Sequence, residues 1–188
     1  MTVTATNLTM GPGTLFVGVF GVSAEPADTA VNSAPAASAW TDAGGTDGGI
    51  KLMVDQKFAE LTCDQIVDTV GRRLTARDVS LATNLAEPTL ANLQMAINGG
   101  TSSTGAGYSA LDPLNVTSAT QPNYFPAIMD GYAPGNAFRR RVIVRKGLNT
   151  AKVDSAYSKD KQTFIPVEIH AHYVSSGTTP FHVVDQTS

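Results

Sequence analysis

The sequence predicts a mainly β, antiparallel domain with a single flanking α-helix. Three observations lead there. Apolar and polar residues alternate with a period of two in three central segments, around Ile50–Asp55, Glu60–Asp64 and Asp78–Leu85. Only one segment, residues 87–100, repeats its apolar residues at helical spacing. Glycine, proline and small polar clusters punctuate the chain between these segments. The 188 residues are enough for one domain with a real core, and no repeat or linker divides them.

Residues 1–13 read as a flexible arm. Gly11, Pro12 and Gly13 precede a short apolar strand, Thr14–Phe20. Residues 21–49 read as a long small-residue loop carrying Trp40, the only tryptophan. Gly44, Gly45, Gly48 and Gly49 then turn the chain into the next strand. There Ile50, Leu52 and Val54 alternate with Lys51, Met53 and Asp55. Leu61 and Cys63 alternate with Glu60, Thr62 and Asp64. Val79, Leu81 and Leu85 alternate with Asp78, Ser80, Ala82 and Asn84. Each strand thus has one apolar and one wet face, as in an antiparallel sheet, and Cys63 is expected in the core.

The helix is EPTLANLQMAINGG. Pro88 suits its first position. Leu90, Leu93, Ala96 and Ile97 form its apolar face, and Gly99 and Gly100 end it. Residues 99–136 read as a polar loop with one short strand near Tyr124–Met129. Ala137–Lys146 returns to strand. Residues 147–162 are polar and turn-like, with room for a short strand in AKVDSAY. The last long strand is Thr163–Val174, with Ile165, Val167, Ile169, Ala171 and Tyr173 on one face. A short apolar piece, TPFHVVD, follows.

Composition narrows the function. The formal net charge of −3 argues against a domain that grips nucleic acid by neutralising phosphates. Charged residues make up 15% of the chain, against a usual ~25%. Burial of the surface by neighbouring subunits and a Ser/Thr/Gly-rich solvated surface both fit that figure. With Cys63 as the only cysteine, no disulfide forms within the chain, which fits assembly in a reducing cytoplasm. The N-terminus has no signal-peptide pattern, and no stretch approaches the ~20 apolar residues of a membrane span. The sequons at Asn7 and Asn115 therefore read as chance.

Two clusters carry chemical potential. Glu168, His170 and His172 share one strand face, and a His-x-His pair on a strand can chelate a metal, as in cupins. The cupin pattern stops at Tyr173, so a solvent-facing or subunit-facing surface is the expectation and no metal is assigned. Arg139, Arg140 and Arg141, extended by Arg145 and Lys146, form the only basic run. On a strand Arg140 projects to one side, and Arg139 and Arg141 to the other, so they form no single DNA-binding patch. Arg139, Arg140, Arg141 and Arg145 are candidates for inter-subunit ion pairs with carboxylates such as Glu60, Asp64 or Asp68. No nucleophile elbow, Walker loop, His-Glu-x-x-His or dinucleotide fingerprint occurs, so neither catalysis nor a cofactor is expected.

Five motifs in order resemble the major tail tube proteins of long-tailed bacteriophages. They are GPGTLFVGVF with SAWTDAGGTDGG (Gly11–Gly49), the arginine-bearing strand GRRLTARDV (Gly71–Val79), LAEPTLANLQMAINGG (Leu85–Gly100), GNAFRRRVIV (Gly135–Val144) and TPFHVVD (Thr179–Asp185). The chain departs from that pattern at Ala43 and Gly45, and residues 101–122 are longer and richer in Ser and Thr. The resemblance implies a β-sandwich or open barrel with one flanking helix, the tail tube fold. It implies six-membered rings, each subunit giving strands to one central β-barrel, and rings stacked into a tube that conducts DNA. Terminal arms and long loops would bridge neighbours. Other implied partners are the tape measure, tail tip and terminator proteins, with double-stranded DNA passing unbound. The implied location is the virion tail, after assembly in the host cytoplasm. A terminator or baseplate hub of related fold is the alternative. Strand alternation together with the resemblance gives lumen candidates: Lys51, Asp55, Glu60, Thr62, Asp64, Asp78, Ser80 and Asn84, a mainly acidic wall that repels phosphates.

Overall fold

A computed structural model describes residues 3–135 and 137–187; the first two residues of the arm and Asn136 lie outside the described residues. The strands are β1 (Thr14–Gly18), β2 (Trp40–Asp42), β3 (Thr46–Cys63), β4 (Ile66–Leu85), β5 (Thr101–Gly105), β6 (Tyr108–Asp112), β7 (Phe125–Tyr132), β8 (Arg139–Asn149), β9 (Ile165–Ala171) and β10 (Phe181–Asp185). The helix, α1, spans Leu90–Ala96. One antiparallel sheet has the order β2-β1-β7-β8-β9-β4-β3, with β10 also paired to β8, and β5-β6 is a separate hairpin. Among the described residues the chain is therefore mainly β and antiparallel with one α-helix, and the sheet does not close into a barrel.

Strand β8 sets the bend of the sheet. Along Arg140–Val144 it lies between β7 and β10; at Gly147–Asn149 its second neighbour becomes β9. This change of partner lets the sheet curl until distant strands share one core. Leu15, Leu81, Leu85, Val142, Val144, Ile165, Val167 and Ile169 pack together on the inner face with Ala96 of the helix. Burial of such aliphatic side chains is worth about 1.5–3 kcal/mol each. A smaller cluster of Trp40, Ile128 and Ile143 fills the outer face.

Asparagines fasten the helix to the sheet. Thr89 caps α1 by accepting from the Asn92 backbone N–H at 3.2 Å. Asn92 Nδ2 donates to the carbonyls of Ala43 and Glu87. Asn149 Nδ2 donates to Ala96 O at 2.6 Å, and its Oδ1 accepts from the Glu168 N–H at 2.7 Å. Asn98 and Asn149 exchange a further pair of bonds. With Thr89 as cap, Pro88 precedes the helix instead of opening it. The left-handed residue at its end is Asn98 (φ 60°), ahead of the glycines expected there. Asn92 takes a buried place, while Leu90 stays exposed.

Other expectations are corrected too. Segment 21–49 is not one loop, because it holds β2 and the start of β3, and its middle is tethered to the outer face. Trp40 Nε1 donates to Ala24 O at 3.0 Å, and a 3-10 turn sits at Asp28–Ala30. Segment 99–136 holds β7, where a short strand was expected, and in addition the β5–β6 hairpin, whose short Ser/Thr-rich strands leave little trace in the sequence. Strand β8 runs on to Asn149, no strand forms in 151–157, and β9 ends at Ala171 with Tyr173 exposed beyond it.

Candidate assembly surface

Strands β3 and β4 form one long hairpin. Near its base, register jumps from Asp47↔Asn84 to Lys51↔Ala82, so two extra β3 residues bulge out. Gly48 and Gly49 both have φ of 75°, a left-handed pair that glycine adopts without strain. Beyond it Lys51 pairs Ala82, Asp55 pairs Asp78 and Glu60 pairs Arg72. Strand β9 covers β4 only over Ser80–Leu85. Residues 66–79 of β4 and the outer edge of β3 have no further strand partner among the described residues. At ~3.3 Å per residue, the hairpin extends roughly 40 Å past the sheet.

Its side chains are exposed on both faces. Met53, Val54, Phe58, Leu61, Ile66, Val70 and Leu74 all remain open to solvent. Cys63, expected in the core, is exposed near the tip, where its Sγ approaches Gln65. The alternating segments at Ile50–Asp55 and Glu60–Cys63 belong to one strand, and among the described residues no second layer covers this part of the ribbon.

The register also re-sorts the lumen candidates. Residues directly opposite in a ladder share a face. Lys51, Asp55, Asp78, Ser80 and Asn84 lie on one face, opposite the inner core. Glu60 and Thr62 lie on the other face with Leu52, Val54 and Phe58, and Asp64 sits in the turn at the tip. The apolar parity of β3 changes along its length: even-numbered at Leu52 and Val54, odd-numbered at Leu61 and Cys63. Reading each short segment separately hid that switch. Lys57 and Arg73 join the first face, so it is mixed in charge and not acidic.

The base of that face holds the histidine cluster. Ser80 lies opposite His170, and Ala82 opposite Glu168. His170 Nδ1 is 2.9 Å from Asp78 Oδ1, and its Nε2 is 3.4 Å from Glu168 Oε1. Ser80 Oγ donates to Glu168 at 3.3 Å. His172 departs from this cluster; its ring meets Tyr124 edge-on at 5.2 Å. Among the described residues no three His, Cys, Asp or Glu side chains are grouped to hold a metal.

The arginines alternate as expected, but their carboxylates lie within the chain. Arg141, 2% exposed, makes a bidentate pair with Asp130 at 2.6–2.7 Å and donates to Ala30 O and Ser33 O. Arg145 forks onto Glu25 and reaches Thr179. Arg140 forks onto Asp185, and Arg139 stacks 4.8 Å from the Tyr132 ring centroid. Glu60 is taken by Arg72. Arg141 and Arg145 thus tether the 21–39 segment, a role invisible without the fold. The Arg140 hydrogen bonds hold the Asp185 carboxyl below its ordinary pKa, with the attraction of charge adding to them against the effect of burial.

No family model matches this chain, and no curated protein matches it.

Proposed function

We propose that the chain is a structural subunit that self-assembles into stacked rings, as the tail tube of a long-tailed bacteriophage. The observation that carries this reading is the bare β3–β4 hairpin. A free two-stranded ribbon is marginal in water, and open strand edges invite pairing. A hairpin of ~40 Å with apolar side chains on both faces and both edges open is accounted for if other copies pair with it. Side-by-side pairing of hairpins closes a barrel and removes the edges. In such a barrel the face bearing Lys51, Asp55, Asp78 and Ser80 lines the bore. The more apolar face, with Leu52, Val54, Phe58 and Leu74, turns outward against the subunit bodies. A bore of mixed, nearly balanced charge offers DNA no basic surface to stick to. The five ordered motifs and the shortage of charged residues add support.

Negative-stain electron microscopy of the purified chain at rising concentration tests the proposal. Stacked rings or hollow tubes wide enough for duplex DNA are expected. Single rings that never stack would move the assignment to a terminator or hub. A chain still monomeric after addition of a tail-tip complex would overturn it.

A further inference from the structure

Asn98 is the only asparagine of the chain that is followed by glycine. An Asn-Gly pair is the asparagine sequence most open to deamidation, because a glycine nitrogen has no side chain beside it to block its approach. In that reaction Gly99 N forms a bond to Asn98 Cγ, the Cγ–Nδ2 bond breaks, and ammonia leaves with the Gly99 amide proton. Water then opens the cyclic imide at one carbonyl or the other, leaving aspartate or isoaspartate. Water is the only co-reactant.

The fold restrains both reacting groups. Asn98 Nδ2 donates to Asn149 O at 2.8 Å, and Asn98 Oδ1 accepts from the Asn149 N–H at 2.8 Å. The side-chain amide is thereby committed to the β8 backbone and not to its own. The attacking nitrogen is engaged as well, since the Gly99 N–H donates to Gln94 O at 2.8 Å. Gly99 also has little room to move. A Cβ there would fall 2.8 Å from Asn123 Nδ2 and 2.9 Å from Leu114 Cδ1. Asn149 adds a second hold on the same helix end through its own Nδ2, which donates to Ala96 O.

We propose that Asn98 is a latent deamidation site, silent while α1 is fastened to β8 and reactive when that fastening opens. Ring closure requires the Asn98–Asn149 bonds and the Gly99–Gln94 bond to break together, so its rate follows the population of a locally open state. The product cannot restore the closed arrangement. A carboxylate at position 98 places an acceptor where Nδ2 donated, against the Asn149 carbonyl. Transient opening of α1 is thus converted into lasting loosening. The inference is independent of the self-assembly reading.

Peptide mapping by mass spectrometry follows conversion at Asn98 in the full chain, held in mildly alkaline buffer. Conversion in the folded chain is expected to be at least about tenfold slower than in the same chain unfolded in urea. Asn149→Ala, shown to be folded by circular dichroism, should speed it and raise amide hydrogen exchange at Gly99 in step. Wild-type chain in urea below its unfolding transition gives the same comparison without a variant. Equal conversion in the folded and unfolded chains overturns the inference. So does faster Gly99 exchange, in the variant or in dilute urea, with no faster conversion. Asn98→Asp should itself raise exchange along α1, and unchanged exchange there would overturn the lasting loosening.

Discussion

Arg141→Met is the most revealing single change. Arg141 is 2% exposed and the Asp130 side chain 15% exposed, so the pair is largely removed from water. The substitution keeps an apolar stem beside the outer-face cluster of Trp40, Ile128 and Ile143, but removes the whole guanidinium. Asp130 loses two bonds at 2.6–2.7 Å, Ser33 O loses its arginine donor, and Ala30 O keeps only the Ser33 N–H. Stranding one member of a buried pair costs about 3–5 kcal/mol. That is a large part of the 5–15 kcal/mol typical of a whole domain. With a urea slope of about 2 kcal/mol/M, the unfolding midpoint should fall by roughly 2 M. Limited proteolysis should also cut first within residues 21–39, because that segment has lost a tether. Arg141→Lys should fall between, since an ammonium cannot make the planar fork. Adding Asp130→Leu to Arg141→Met should recover most of the loss, because no charge is then left unpaired. A midpoint for Arg141→Met within 0.3 M of wild type, by the ~2 kcal/mol/M slope a loss under about 0.6 kcal/mol, would refute the buried-pair argument.

Asn149→Ala should cost about 2–3 kcal/mol in urea unfolding, since it leaves Ala96 O and the Glu168 N–H unpaired in a site only 4% exposed. Phe58→Asp with Leu74→Asp should change the monomer's unfolding by less than about 1 kcal/mol, because both side chains are exposed. It should abolish assembly in sedimentation velocity, and wild-type assembly by this variant would contradict the hairpin's role. Arg140 holds the Asp185 carboxyl below its ordinary pKa, so that pair stabilises the fold above the unfolded carboxyl's pKa of about 3.9. The contribution is lost as pH falls through the lower folded value. Both side chains are more than a third exposed, so Asp185→Asn should flatten the acid limb of stability by under about 1 kcal/mol.

Much of the fold was legible because its signals are local. Period-two alternation marked β9 and the Asp78–Leu85 end of β4, and helical spacing between Pro88 and Gly99 marked α1 within a few residues. Strands β2, β5 and β6 escaped because three to five polar or small residues carry little periodicity. Among site residues, the alternation of Arg139, Arg140 and Arg141 was readable from strand geometry. The partners of Arg141, Arg140 and Arg145, which are Asp130, Asp185 and Glu25, were not, because each pair is separated by between 11 and 120 residues.

By itself, then, the sequence determined where the longer strands and the helix lie, the alternation within each short segment, and a net charge that is not basic. Those properties follow from residue type and spacing along the backbone. Only the tertiary structure decided which apolar faces are covered. It buries Leu81 and Ile169 but leaves Phe58, Leu61 and Cys63 in solvent, although all lie on strands with similar patterning. The reason is that burial depends on which second layer meets a face, that layer comes from distant parts of the chain, and among the described residues none meets the outer β3–β4 hairpin.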